Sequence, residues 1–165
     1  MAAIGTFIDG AYVGTYNSVG IGITQDGYDL ILSLKEEVIN ESDQYGGALL
    51  DYFYRGGDCQ IRCDSKEYAP GSVAPYWPWG AWGQMTNAAL PIGRKASAVA
   101  KSLVLTSTAG TPAATAPASL TATMAVLAPG QSSTLKFSTK LRTVPIFLQL
   151  IPDQVAGDTR WFTTT

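Results

Sequence analysis

Two thiols, two adjacent carboxylates and three tryptophans are the residues of this chain best equipped for chemistry. Cys59 and Cys63 sit in the run Cys59-Gln-Ile-Arg-Cys63. Thiols at this spacing raise the options of a disulfide, a metal site or a nucleophile. On a strand their Cα atoms stand about 13 Å apart at ~3.3 Å per residue, whereas a disulfide needs less than about 7 Å. No histidine exists anywhere in the chain, so neither a mixed Cys/His metal site nor a His-based triad can form. The two cysteines therefore read as small buried apolar residues. Glu36 and Glu37 are neighbours in sequence, and on a strand they point to opposite faces. That defeats a paired acid/base role and suits a solvated, charged edge that discourages unwanted strand pairing. In Tyr76-Trp-Pro-Trp-Gly-Ala-Trp82, the indoles of Trp77, Trp79 and Trp82 could stack on a sugar or anchor an interface. The preferred reading is structural: they plug the end of a β-sandwich beneath a short helix. No phosphate-binding Gly-x-x-x-x-Gly-Lys loop is present, and the glycines from Gly14 to Gly22 read as turn and close-packing positions. The residues point to a protein that is not an enzyme and uses no cofactor or metal.

Composition narrows the class further. The chain has 165 residues, 46% of them apolar and 15% charged. That suits one domain, residues 1–165, able to bury roughly two-thirds of its unfolded surface, and it excludes general disorder. No run approaches the ~20 apolar residues that span a bilayer. The N-terminal segment lacks the basic region and long apolar run of a secretion signal, so the expectation is a protein made and used in a cytoplasm.

Charge is sorted by position. Ten of the thirteen acidic residues fall between Asp26 and Glu67, with four basic ones among them. From Tyr68 to Pro152 there is no Asp or Glu, yet Arg94, Lys95, Lys101, Lys136, Lys140 and Arg142 lie there. If the two halves fold onto different surfaces, copies of the chain attract one another. The basic residues are too thinly spread for a phosphate-binding surface, and the pI of about 4.9 is acidic. An acidic surface would repel DNA, which is useful where DNA must slide without sticking.

Period-2 alternation dominates the chain. Leu30, Leu32 and Leu34 share one face of a strand, and Cys59, Ile61 and Cys63 share another. Leu120, Ala122, Met124 and Val126 alternate with Thr121, Thr123 and Ala125. Leu135 and Phe137 open a short strand. In residues 144–151 both faces are apolar, which predicts a central or interfacial strand with Pro145 near its start. Asp26-Gly27 reads as a tight hairpin, and Arg55-Gly56-Gly57-Asp58 and Pro129-Gly130 read as turns. Residues 43–53 could form a turn or two of helix, residues 72–88 could hold a short helix, and 96–103 could be a helix or the entry to a strand, with the strand preferred. The stretch 106–119 reads as a loop. The expected fold is mostly β, an antiparallel β-sandwich or half-open barrel with one short flanking helix and a long hairpin.

In this order the features resemble the tail-tube (major tail) proteins of tailed bacteriophages. Val19-Gly-Ile-Gly-Ile-Thr-Gln-Asp-Gly27 is similar to the family's entry to its first long hairpin. Residues 29–41 resemble that hairpin's acidic strand. Asp43-Gln-Tyr-Gly46 followed by Gly56-Gly57 resembles the connection to the next strand. Residues 94–106 resemble the central strand, and Leu141-Arg-Thr-Val-Pro-Ile-Phe-Leu-Gln-Leu-Ile-Pro-Asp153 the final one. The Trp-rich segment and the Ala/Thr/Pro stretch near residue 110 depart from the pattern. The resemblance covers about residues 19–153. It implies a non-catalytic virion protein, assembled in the host cytoplasm, whose copies close into hexameric rings that stack into a tube. Other tail proteins are implied partners, genomic DNA passes through the lumen without specific binding, and no membrane is involved.

Under this resemblance residues 1–18 form an N-terminal arm and 154–165 a C-terminal arm. Self-assembly contacts fall on Tyr12, Asp29, Lys35, Glu36, Glu37, Lys136, Lys140 and Arg142. Two rival readings remain. One is a different virion role, in head decoration, a neck or terminator ring, or a tail-tip ring. The other is a carbohydrate-binding β-sandwich that uses Trp77, Trp79 and Trp82.

Overall fold

A computed structural model describes residues 11–40, 49–66, 76–79, 92–108, 117–132, 143–153 and 159–165. The described residues are mostly β, in one antiparallel sheet of eight strands. The strands are β1 Tyr12–Tyr16, β2 Val19–Gly20, β3 Asp29–Asn40, β4 Leu49–Ser65, β5 Lys101–Ser107, β6 Ser119–Leu127, β7 Val144–Leu150 and β8 Thr163–Thr164. Their order is β2-β1-β5-β6-β7-β4-β3, with β8 paired to β6. The one helical element among the described residues is a 3-10 turn, Ala96–Ala98. The entry to a strand expected over 96–103 is thus split: a 3-10 turn first, and strand only from Lys101.

The core lies on one face of the sheet. Cys59, Ile61 and Cys63 of β4, Ile146, Leu148 and Leu150 of β7, Leu103 and Leu105 of β5, and Leu120, Ala122 and Ala125 of β6 are buried together. Tyr16 joins them and donates its hydroxyl to the Ala125 carbonyl at 2.9 Å. β7 has the expected central place, flanked by β6 and β4. Pro145 stands at its second position, opposite Asp64.

Four local expectations are corrected. Asp26-Gly27 does not turn a hairpin. Thr24 bridges Ser65 and Asp29 pairs with Arg62, so the chain on both sides of Asp26 runs antiparallel to the same strand β4. Arg55-Gly56-Gly57-Asp58 is not a turn but the interior of β4, at a register shift where Lys35 faces Gly56 and Glu36 faces Tyr54. A glycine pair signals positive φ, which a bulge requires as readily as a turn. The helix considered for 43–53 gives way to strand from Leu49 onward. In β6 the alternation changes phase: Leu103 pairs with Ala122 but Lys101 with Ala125. The extra residue turns Ala125 into the core and leaves Met124 half-buried, so Met124 does not share the core face with Leu120 and Ala122.

The edge of β6 away from β5 is divided. β7 pairs with its residues 125–127, and β8 takes over at Leu120 and Thr121. Part of the expected C-terminal arm is therefore a sheet strand, and the described end of the expected N-terminal arm contains β1, paired along its length to β5. Residues 19–25 connect the sheet's two flanks. Ile21 N–H donates to Gly14 O on β1, while Lys66 N–H donates to Ile23 O and Gln25 N–H to Asp64 O on the β4 side. Tyr28 packs against Gly14, where a side chain would overlap its ring, so Gly14 serves the close packing its sequence context suggested. The short strand at Leu135 and Phe137 lies outside the described residues, as does most of the segment 72–88, of which residues 76–79 form a turn.

Candidate functional site

β3 and the first half of β4 make a long hairpin at one edge of the sheet. β4 alone is 17 residues long and β3 is 12. Toward Ser65, β4 is flanked on its other side by β7. From residue 51 to 58 it pairs only with β3. Every described side chain of β3, and every one from Asp51 to Arg55, is exposed.

This ribbon is not polar. Among the described residues thirteen large apolar side chains are exposed, and nine of them lie here: Leu30, Ile31, Leu32, Leu34, Val38, Ile39, Tyr52, Phe53 and Tyr54. Leu32 is 61% exposed and Tyr54 66%. Residues opposite each other in a ladder share a face. Leu30 and Leu32 pair with Ile61 and Cys59, so they extend the core face of the sheet beyond the part that is covered. The opposite face carries the charge. Asp29 pairs with Arg62, and Lys35 reaches the Asp58 carboxylate at 2.8 Å. Glu37 accepts from the Arg55 guanidinium, whose Nε lies 2.8 Å from Oε2. Arg55 also stacks over Phe53 at 5.6 Å and Arg62 over Phe147 at 5.2 Å. Glu36 stands opposite Tyr54, on the other side of the strand from Glu37, as adjacent strand residues must.

The expected assembly residues divide into three groups. Asp29, Lys35, Glu36 and Glu37 come together on the hairpin. Tyr12 is distant from it in the sheet order, half-buried on β1, with its hydroxyl donated to Pro117 O at 2.8 Å. Lys136, Lys140 and Arg142 lie outside the described residues. Tyr52 and Phe53 fall in the stretch 43–53 that the sequence also allows as helix, and Tyr54 follows it directly, so none of the three is singled out there. The run Asp51-Tyr-Phe-Tyr-Arg55, rich in β-formers and bounded by Gly56-Gly57, held the signal.

Among the described residues, the basic side chains of the second half stand apart from the acidic hairpin. Arg94, Lys95 and Lys101 are exposed, and β5, which begins at Lys101, is four strands from β3 in the sheet order. At ~4.8 Å per strand this is about 19 Å along the sheet.

The cysteines behave as small apolar residues. Both are free and buried. Burial pushes the Cys59 thiol up to about 11 and the Cys63 thiol to about 12, which suppresses the reactive thiolate. Among the described residues no group of His, Cys, Asp and Glu is arranged to hold a metal ion, and no helix is long and apolar enough to cross a membrane. Trp77 and Trp79 are half-buried; Trp79 borders a cavity of about 460 Å³ with Val126, Leu127, Ala128 and Ile151. Trp82 lies outside the described residues. The chain matches no protein-family model and no curated protein.

Proposed function

We propose that this chain is a virion structural protein that self-assembles into stacked hexameric rings, forming a phage tail tube through which DNA passes. The observation that carries the proposal is the exposed apolar hairpin at the sheet edge. Isolated monomers rarely expose contiguous apolar surface beyond a few hundred Å², and a long edge strand is a template for pairing with another chain. Leu30, Leu32, Leu34, Val38, Tyr52 and Tyr54 would be covered in an assembly. Covering each large side chain contributes about 1.5–3 kcal/mol. The ordered motifs from Val19 to Asp153 support the same reading, as does the acidic hairpin set apart from Arg94, Lys95 and Lys101. Such separated, complementary patches suit a head-to-tail contact, which closes into a ring when its rotation permits. In the finer architecture we take the sheet as a half-open barrel, tied across its flanks by residues 19–25.

Negative-stain microscopy and sedimentation of the purified protein across a concentration series test this reading. Rings or tubes about a central channel are expected. Strictly monomeric protein at high concentration, or trimers, would remove the tube assignment. Leu32→Glu should abolish assembly while leaving the monomer's circular dichroism unchanged. Added salt should weaken assembly, since exposed charge pairs are screened over about 10 Å at 0.1 M.

A further inference from the structure

The long hairpin changes character at its root. Between the Lys35–Gly56 and Glu36–Tyr54 rungs the register shifts, which leaves Arg55 as an extra residue in β4. Gly56 has φ +113°, a conformation that side-chain-bearing residues rarely adopt. A bulge of this kind interrupts the ladder and bends the strand. Two cross-strand ion pairs straddle it: Lys35–Asp58 on the body side and Arg55–Glu37 on the outer side. Both are exposed, and such pairs hold geometry weakly.

Gly57 is tightly enclosed. A Cβ there would lie 3.1 Å from the Trp161 ring and 3.0 Å from the Ser33 carbonyl oxygen. Trp161 is half-buried against the core, and the segment carrying it is fixed to the body through β8 and through Thr165, whose carbonyl accepts from Ala118 and Ser119 N–H. Beside this contact opens a cleft of about 560 Å³, bordered by Lys35, Tyr54, Asp58, Gln149, Pro152 and Trp161.

We infer that the outer hairpin, residues 36–40 and 49–55, is an arm hinged at the Arg55–Gly57 bulge, and that Trp161, wedged against Gly57, sets its angle to the sheet. The bulge supplies the bend and the cleft supplies room for movement. The indole is the body's contact at the pivot. A partner gripping the arm is thereby felt at the C-terminal strand. The inference concerns the single chain and stands whatever partner the arm meets.

Paired spin labels test it. One label goes on Val38→Cys in the arm and one on Lys101→Cys in the body, with distances read by double electron–electron resonance. Cys59 and Cys63 are 0% and 4% exposed, so labelling goes to the introduced thiols. The parent should give one narrow distance distribution. Trp161→Ala should broaden it or move its mean, while a pair within the body, Lys101→Cys with Thr143→Cys, stays unchanged. An unaltered arm distance overturns the inference, and so does equal broadening of both pairs. If Trp161→Ala loses its sheet signal by circular dichroism, Gly57→Ala is measured instead. Its added Cβ meets the Ser33 carbonyl of β3 and the indole together, so the arm, the indole or both must give and the arm distance must shift; an unshifted mean overturns the inference.

Discussion

The two halves of β4 are one continuous strand in opposite surroundings. From Cys59 to Ser65 it has β7 on one side and, on the other, β3 as far as Arg62 and the Thr24 bridge at Ser65, and alternate side chains are buried. From Asp51 to Arg55 it has β3 alone for company, and every side chain is exposed. The outer half carries the strand formers Tyr52, Phe53 and Tyr54, and the inner half carries the period-2 alternation of Cys59, Ile61 and Cys63. Strand formation therefore follows from local sequence, whereas burial follows from how many neighbours the sheet provides. The half with two neighbours holds the fold together, and the half with one is free to serve something outside the chain.

The sharpest way to break this contrast is a matched pair of truncations. Leu148 in the core is 1% exposed and Leu32 on the hairpin 61%. Leu148→Ala should lower unfolding stability by about 3 kcal/mol, as cavity-forming core substitutions do. Leu32→Ala should change it by no more than about 0.5 kcal/mol. Urea unfolding of the monomer reads both, and similar losses would mean that the hairpin packs within its own chain.

Alkaline pH probes the buried side of the contrast. Burial pushes Tyr16 and Tyr28 up to about 12, Cys63 to about 12 and Cys59 to about 11. Each group has its pKa raised on folding, so above its ordinary value the unfolded chain releases the proton more readily than the folded one. Stability from these groups is complete below about pH 9 and is lost as pH climbs toward about 12. The urea midpoint should hold from pH 7 to 9 and then fall. A flat midpoint to pH 11 would show that these side chains are hydrated.

Smaller effects sharpen the picture. Tyr16→Phe removes the hydrogen bond to Ala125 O and leaves that carbonyl without the hydroxyl, which should cost about 1 kcal/mol in urea unfolding. Lys35→Met removes the ion pair to Asp58 on the exposed ribbon. Its effect on monomer stability should stay below about 1 kcal/mol, and a larger loss would show that the pair fixes the hairpin rather than decorating it.

Much of the sheet was legible in advance because alternation is a local signal. The core face of Cys59, Ile61 and Cys63 follows from side-chain period, and the central position of residues 144–150 from a run that is apolar on both faces. Glycine was less legible. Gly56-Gly57 announces an unusual backbone without saying whether a turn or a bulge uses it, and that depends on the register of β3, a non-local pairing. In β6 no residue announces the phase change between Ala122 and Ala125, since Thr, Met and Ala fit either face. The hairpin's charged residues and the shared face of Leu30, Leu32 and Leu34 were anticipated, but the exposure of that face was not, because an apolar face is ordinarily assigned to a core.

The sequence by itself determined that this chain is a mostly β protein with buried, inert thiols and an acidic half followed by a basic half. Composition and period-2 spacing act through short-range sterics and hydration, and they need no partner to take effect. Only the tertiary structure decided that β3 stands at an edge, that Leu30, Leu32 and Leu34 continue the core face yet stay exposed, and that Trp161 lies against Gly57. These depend on which strands meet across long separations, and strand order is a property of the whole chain's packing.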